Sequence, residues 1–496
     1  MKFLTTTMVV LLAMTATLFA QVTQMKASNK APSGIINPPQ FIIVGSDDNT
    51  NTEGVNWMAN LMSEGTNENG TKRYMSFYVN SRSSTDTWEK VDGLSNAVFN
   101  AYELGHEIGN HTATHLRFVG KGTNPEDFTI RKSAEEIYAD MKEVSDEMVA
   151  IGIPKEHQFG FRTPFLSYSD SAFTAMQWIG FLYDCSINTS YSGTSGKANF
   201  PYTLDSLDGQ KPSTAKNTKG NIPPDNTANW WGTGHDGLGV GGNPIREHKG
   251  LWTIPCSKVT IADEDTTDVG ANLPSWASYI KSGWTVTGLD YNLWMEAYLD
   301  SAQSVRALVN TVNKHLNGNR SPFSLGVHSQ YYFTPSDMPL DPMSLERRQG
   351  MFEEFVRQAS LIPEVFFVSA DMVIAWMEDP CEAEDFTIER YHRDTRAGGV
   401  VPDPVSISNK ITGNKSVSSV SFAGIKNGQI NLQLQAGNYS VELYNLNGRL
   451  IRKSNINAKT GLNVVNMKTD KLSKGIFVLN VKQNGISVLS NKVTIK

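Results

Sequence analysis

A chain of 496 residues, 39% of them hydrophobic and 19% charged, has an ordinary globular balance and the length for one large core and a smaller one. Its net charge of −6 and nine scattered histidines exclude a nucleic-acid surface written in global charge and a metal-storage tract. Charge divides unevenly, however: from Pro404 to Lys496 there are 13 Lys and Arg against 2 Asp and Glu, net +11, while the chain before it carries net −17.

The first 20 residues read as a signal peptide, with Lys2, an apolar stretch from Met8 to Phe19 and a small-residue cleavage site ending at Ala20. About twelve apolar residues fall short of the roughly twenty that cross a bilayer, and no later segment approaches that length, so no transmembrane helix is expected. A polar lead over 21–39 follows. Phe41 to Val44 is a short apolar run ending in Gly45-Ser46-Asp47-Asp48, the pattern of a buried strand with polar groups at its carboxyl end. Tyr74 to Val79 reads as a second strand. Ser133-Ala134-Glu135-Glu136 makes a capping box, with Ile137, Met141, Val144 and Met148 on one helical stripe and Gly152 and Pro154 as the stop. Further strands are predicted at Gln158 to Phe161, Phe181 to Tyr183, Leu251 to Ile254, Phe323 to Val327 and Val365 to Val368. Strands alternating with helices predict an α/β fold, a parallel sheet or barrel.

Between Asn188 and Gly250 the chain is a loop rich in small and polar residues that carries Trp230, Trp231 and His235. Composition shifts again near Arg396–Pro404, and the expected division is 40–385 for the α/β domain, 386–404 for a linker and 405–496 for a small antiparallel β-sandwich. The last is read from short alternating segments punctuated by Asn-Gly at 427–428, 447–448 and 484–485. Cys185, Cys256 and Cys381 allow at most one internal disulfide, and sequence does not choose a pair.

Three pieces carry chemistry. Asp47 and Asp48 sit at a strand end where adjacent side chains diverge, so one carboxylate can bind a metal while the other takes a proton. His111 and His115, four apart, are expected on one face of a helical turn, and with Asp48 they make two imidazoles and a carboxylate. Arg162, in Phe161-Arg-Thr-Pro-Phe165, and His328, at the end of a strand, suit an arginine that orients the free carboxylate and a proton donor to a leaving group. Each has an ordinary reading as well: a surface turn, a coincidental pair, an ion pair, a core histidine. A two-histidine, one-carboxylate set also describes non-haem iron oxygenases, which have no use for Asp47 or Arg162.

The order DD, HTxxH, RxPF and a late histidine, all near strand ends, resembles the polysaccharide deacetylases of carbohydrate esterase family four over roughly Gln40 to Pro380. Within them the chain is similar to the chitin-deacetylase-like branch, through Gly105–His115, Leu182–Ile187, Leu251–Pro255, Gly288–Trp294 and Ile374–Met377. The resemblance implies a distorted (β/α) barrel and metal-dependent deacetylation of N-acetylated polysaccharide, chitin or chitooligosaccharide, with a divalent metal taken as zinc. By the same likeness Asp47 is the general base, Asp48, His111 and His115 the metal ligands, Arg162 the holder of the base and His328 the general acid. The backbone N–H of Phe165 is implied as an oxyanion donor, and Trp252 and Trp294 as walls of a sugar groove. The family's last motif, Leu-x-His, is represented by Leu325 three residues before His328, with Gly326 in the usual position, which puts the methyl-group pocket in question. Val44-Gly45-Ser46 stands where the family has Thr-Phe. Peptidoglycan, O-acetylated xylan and a non-catalytic glycan-binding role remain open beside chitin.

Tyr439–Arg449, Leu472–Leu479 and Asn491–Lys496 resemble the sorting domains of the type IX secretion pathway of Bacteroidetes-like bacteria. That likeness implies an outer-membrane secretion machinery as partner and a secreted or cell-surface location.

Overall fold

The computed structural model describes residues 25, 27–82, 87–88, 90–116, 118, 132–187, 198–205, 247–334, 343–395, 421–426, 429–445, 450–469, 472, 475–483 and 486–495. The signal segment, Trp230, Trp231, His235, the 396–404 composition shift and the three Asn-Gly pairs lie outside the described residues.

The first unit runs β1 (Gln40–Asp47), α1 (Thr52–Ser63), β2 (Ser76–Val79), α2 (Leu94–Glu103), β3 (Glu107–Asn110), α3 (Ala134–Ile151), β4 (Gly160–Phe161), α4 (Asp170–Ile179), β5 (Tyr183–Asp184), β6 (Tyr202–Leu204) and β7 (His248–Thr253). It continues through β8 (Lys258–Thr260), α5 (Thr266–Asn272), β9 (Thr285–Thr287), α6 (Ser301–Leu316), β10 (Phe323–His328), α7 (Leu345–Ala359), β11 (Val365–Val368), α8 (Ala370–Glu378) and α9 (Ile388–Tyr391). The main sheet is ordered β10-β1-β2-β3-β4-β5-β7-β6, with β11 also on β1. Every pairing in it is parallel except β6 with β7. This is an α/β half-barrel, and its parallel strands put all their carboxyl ends on one rim.

Strand alternation divides the apolar residues between two faces. Ile42 and Val44 join a core that includes Val55 and Met58 of α1, Val98 of α2, Leu308 of α6 and Phe352 of α7. Phe41 and Ile43 face the other way, into a core shared with Tyr78, Tyr183, Trp252 and Trp376 of α8. That inner face grows polar toward the rim. Gly45, Gly109, Gly160 and Gly326 stand on four different strands, and a Cβ at each would collide with a larger side chain: Tyr78 and Arg162 at Gly45, Tyr78 at Gly109, Tyr183 at Gly160 and Leu289 at Gly326. Glycine here is a packing requirement, clearing the barrel for Tyr78, Arg162 and Tyr183.

The capping box at Ser133 is present, with Ser133 Oγ accepting from the Glu136 N–H, and Gly152 closes α3 in the left-handed conformation. Residues 386–395, expected as linker, pack onto the unit instead. Phe386, Ile388 and Tyr391 join the inner core, and Arg393 donates to the carbonyls of Tyr102, Gly105 and His106.

The C-terminal unit comprises β12 (Ser421–Lys426), β13 (Gln429–Leu434), β14 (Gly437–Asn445), β15 (Leu450–Ala458), β16 (Gly461–Asn466), β17 (Gly475–Gln483) and β18 (Ile486–Ile495), in antiparallel sheets ordered β12-β13-β16 and β15-β14-β17-β18. Ile430, Leu432 and Val465 from one sheet and Val441, Leu443, Leu479 and Val481 from the other share a single core, as a small sandwich requires. Glu442 is one of only two acidic residues in the basic segment, and it is buried between Lys453 at 2.7 Å and Lys482 at 3.0 Å.

His106 gives the first unit an acid sensitivity. It is fully buried on Ala59 O, Ser63 Oγ and the Met75 N–H, and burial pushes its pKa down to about 4. The unfolded chain takes up this proton near pH ~6.5 while the folded chain refuses it, so His106 costs stability as pH falls from about 6.5 toward about 4. His106→Gln is expected to remove about one proton from that dependence. Urea midpoints of both proteins at about pH 7 and about pH 5 check this: the variant's midpoint falls less on acidification.

Candidate active site

The rim gathers the charged residues. β1 and β10 pair with Asp47 opposite His328, so the two side chains start from adjacent strand ends. After β1 the chain turns sharply through Asp48 and Asn49, both left-handed at φ 63° and 45°. Asn49 is fully buried and pins the turn: its amide donates to the carbonyls of Ser46 and Tyr78, and its oxygen accepts from the hydroxyls of Ser46 and Ser329.

Asp48 Oδ1 lies 3.5 Å from His111 Nε2 and 3.2 Å from His115 Nε2. His111 Nδ1 must carry a proton, because it donates to the Arg162 carbonyl at 2.6 Å. Burial, then the neighbouring His115, push the His111 pKa down to about 3, so its Nε2 keeps a lone pair aimed at the carboxylate. Two imidazole nitrogens and a carboxylate oxygen converge with all ligand atoms within 4.8 Å. A cation is what reconciles three electron-rich atoms at that spacing, and the set fits a divalent metal. Gln330 Nε2 donates to Asp48 Oδ2 at 3.2 Å and thereby orients the ligand.

The histidines do not sit on a helical turn, as their spacing suggests. β3 ends at Asn110 and the following segment is irregular, with Thr112 and His115 left-handed at φ 65° and 53°. Side chains hold it where helix hydrogen bonds would have: Asn110 Oδ1 accepts from the Thr112 N–H, Asn80 donates to the carbonyls of His111 and Thr112, and Thr114 Oγ1 donates to Asp140.

Arg162 is 1% exposed, and its NH1 donates to Asp47 Oδ1 at 3.0 Å and to the Gly45 carbonyl at 3.1 Å, while Nε donates to the Cys185 carbonyl. Burial works most strongly against its charge, but the Asp47 carboxylate together with Cys185, Cys256 and Tyr78 outweighs that and raises its pKa above the ordinary arginine value. Phe165 follows in a left-handed turn at φ 58°, its ring 4.4 Å from that of His115.

His328 is held by Asp290, which accepts from both its Nδ1 and its backbone N–H at 2.9 Å. Burial alone pushes the His328 pKa down; Asp290, with Asp48 and Asp47 beyond it, more than offsets this and raises it to about 9. Asp290 was legible in principle, since it follows β9 as Asp47 ends β1.

Three expected substrate contacts lie elsewhere. Trp252 is 1% exposed on the inner face of β7, and Trp294 is 1% exposed in the outer core with the Arg348 guanidinium 5.3 Å from its ring, so neither walls a groove. Leu325 packs in the outer core, because an odd separation from His328 along a strand selects the opposite face. In the space above Gly326 stands Leu289, which with Leu166, Cys256 and Tyr291 makes a small apolar cluster. All three cysteines are free and buried.

Residues 72–183 match the family Polysaccharide deacetylase, and residues 426–496 match the Secretion system C-terminal sorting domain. The first match contains His111, His115 and Arg162, whereas Asp47, Asp48, Asp290 and His328 lie outside it. No curated protein matches the chain in sequence. Among solved structures, a family 4 carbohydrate esterase from Streptomyces lividans in complex with acetate is similar at 11% identity, covering 31% of this chain and 65% of that one, with a TM-score of 0.22. The chitin deacetylase from the fungal pathogen Colletotrichum lindemuthianum is similar at 16% identity, covering 36% and 64%, with a TM-score of 0.22. A 4-alpha-glucanotransferase from Thermococcus litoralis reaches a TM-score of 0.36 at 8% identity, covering 68% and 40%. The chain thus spans less than two thirds of the length of each, and at such TM-scores none bears on what it does.

Zinc titrated calorimetrically into the apo-protein should bind one ion per chain, and Asp48→Ala or His111→Ala should each weaken it by about 100-fold or more. Gln330→Ala, which frees the ligand's orientation, should cost about 10-fold. Parent-like binding by His111→Ala rules out the triad as the site. The chain thus combines a half-barrel, of which residues 72–183 match the polysaccharide deacetylase family, with a C-terminal segment, 426–496, that matches a secretion-system C-terminal sorting domain.

Proposed function

We propose that the chain is a metal-dependent hydrolase that removes acetyl groups from an N-acetylated polysaccharide, chitin or chitooligosaccharide, and releases acetate. One observation carries this reading: the three-ligand cluster is flanked by a carboxylate held on a buried arginine and by a histidine held on a buried aspartate. Asp48, His111 and His115 would hold a divalent cation, taken as zinc, which when bound would supply Lewis-acid chemistry at the acetyl carbonyl and at water.

The chain's own residues do the rest. Asp47, aimed by Arg162, accepts the proton of the attacking water. The Phe165 N–H donates to the carbonyl oxygen as it gains negative charge, where a fixed donor is worth most. His328 gives its proton to the departing nitrogen as the C–N bond breaks, leaving acetate and a free amino sugar, and Asp290 holds the imidazole in the required orientation. The apolar cluster of Leu166, Leu289 and Tyr291 is suited to the acetyl methyl group.

The acid also supports amide over ester. An amine is a poor leaving group unless protonated, whereas an alkoxide leaves with less help; a histidine raised to about 9 is suited to the first task and favours N-acetyl substrates over O-acetylated xylan. The sorting domain supports export to the cell surface or beyond through a type IX secretion machinery. No helix among the described residues is long and apolar enough to cross a membrane.

Acetate release from chitooligosaccharides, peptidoglycan and acetylated xylan by the zinc-loaded protein tests the reading, with chitooligosaccharide expected to be processed fastest. Asp47→Asn, which keeps a polar partner for Arg162, should lower kcat/KM by about 10²- to 10⁴-fold; release equal to the parent sinks the mechanism. Because the acid must be protonated, activity falls as pH rises through the His328 pKa, at or below about 9 once a cation offsets the Asp48 charge. Asp290→Asn removes the charge that raises this pKa, so the alkaline limb of the kcat/KM profile should move to lower pH.

A further inference from the structure

Beneath the rim lies a line of buried polar side chains that the chemistry above leaves unused. The Arg162 guanidinium carbon sits 4.6 Å from the centre of the Tyr78 ring, on the inner face of β2. The Tyr78 hydroxyl is 2.9 Å from that of Tyr183, and the Tyr183 hydroxyl donates to Glu107 Oε1 at 2.8 Å. Glu107 Oε2 accepts from Ser76 Oγ at 2.7 Å and from the Asp371 N–H at 3.2 Å. Tyr78, Tyr183, Glu107 and Arg162 are each no more than 1% exposed.

An apolar filling would pack this space without hydroxyls that each demand a partner. The line instead begins at a helix and ends under the residue that holds Asp47. Burial first, and the neighbouring Asp371 second, push the Glu107 pKa up, and its carboxyl anchors Tyr183 by accepting from the hydroxyl. The glycines at 45, 109 and 160 are empty where these side chains pass. Ordinary core packing explains the burial; it does not explain why the ring under the guanidinium is fixed at its far end by two successive hydrogen bonds.

We propose that Tyr78 is a positioning residue for deacetylation: its ring, locked through Tyr183 and Glu107, sets the plane of the Arg162 guanidinium and so aims the Asp47 carboxylate. The proposal rests on the reading of Asp47 as the base. Hydrogen bonds from NH1 and Nε hold the guanidinium at its edge, the ring supports its face, and a cation over an aromatic face is strongest where water is excluded.

The test uses the full zinc-loaded chain and compares Tyr78→Leu with Tyr78→Phe. Tyr78→Leu should lose about 10- to 30-fold in kcat with KM and zinc affinity within about twofold of the parent, since what is lost is aim and not binding. Tyr78→Phe, which keeps the ring but loses its hydrogen bond to Tyr183, should recover part of that loss. An active parent with an unimpaired Tyr78→Leu, or a Tyr78→Phe as slow as Tyr78→Leu, overturns the proposal while leaving the deacetylase reading intact. A parent that releases no acetate from any of the three glycans overturns both. Should Tyr78→Leu fail to fold, the Arg162 Nε–H proton resonance of the parent, identified by its loss in Arg162→Lys, decides: an upfield ring-current shift is expected, and its absence overturns the stacking on which the proposal stands.

Discussion

A positive charge buried inside the half-barrel is the constraint around which the site is arranged. Arg162 cannot lose its proton and cannot reach water, so it must be met by acceptors, and it finds the Asp47 carboxylate and the carbonyls of Gly45 and Cys185. Meeting it fixes three strands at once: β1 supplies Asp47 and Gly45, β4 leads into the arginine, and the chain beyond β5 supplies the third acceptor. The carbonyl of Arg162 itself binds His111 Nδ1. One residue therefore orients both the free carboxylate and a metal ligand, and removing a partner from such a buried pair typically costs roughly 3–5 kcal/mol.

What could be read from the sequence follows this division between local and distant causes. The apolar runs at Phe41–Val44 and Phe323–Val327, each followed by a polar group, are local signals, and β1 and β10 lie there with Asp47 beside His328. The capping box at Ser133 is equally local. The histidine pair was misjudged because spacing alone suggests a helix, whereas the segment takes its shape from Asn80, Asn110 and Asp140, two of which lie far along the chain from it. β4 and β5 are two residues each, too short for their boundaries to be read from alternation.

Large aromatic side chains were legible as important but not as to where they point. Trp252 and Trp294 sit near matched segments, yet both fill cores, and their neighbours come from elements remote in sequence. Leu325 illustrates the same limit more sharply: a one-residue displacement along a strand exchanges one face for the other, and a leucine from another segment, Leu289, takes the space left over Gly326. In the C-terminal unit the basic composition was plain, but that Glu442 is buried between Lys453 and Lys482 depends on the register of β14 with its neighbours.

The turns at the rim carry a further consequence. Of eleven non-glycine residues with left-handed backbone among those described, six are Asp48, Asn49, Thr112, His115, Phe165 and Leu166. Such conformations are costly for side chains branched or bulky at this position, and here they coincide with a ligand-bearing edge. Selection for heat resistance alone would therefore press on these positions first, since glycine relieves the backbone at Thr112, whose buried hydroxyl has no hydrogen-bond partner among the described residues, without touching a charge. A lineage that drifted that way would gain a hardier scaffold and loosen the geometry of its centre, which makes the rim the place where durability and turnover compete.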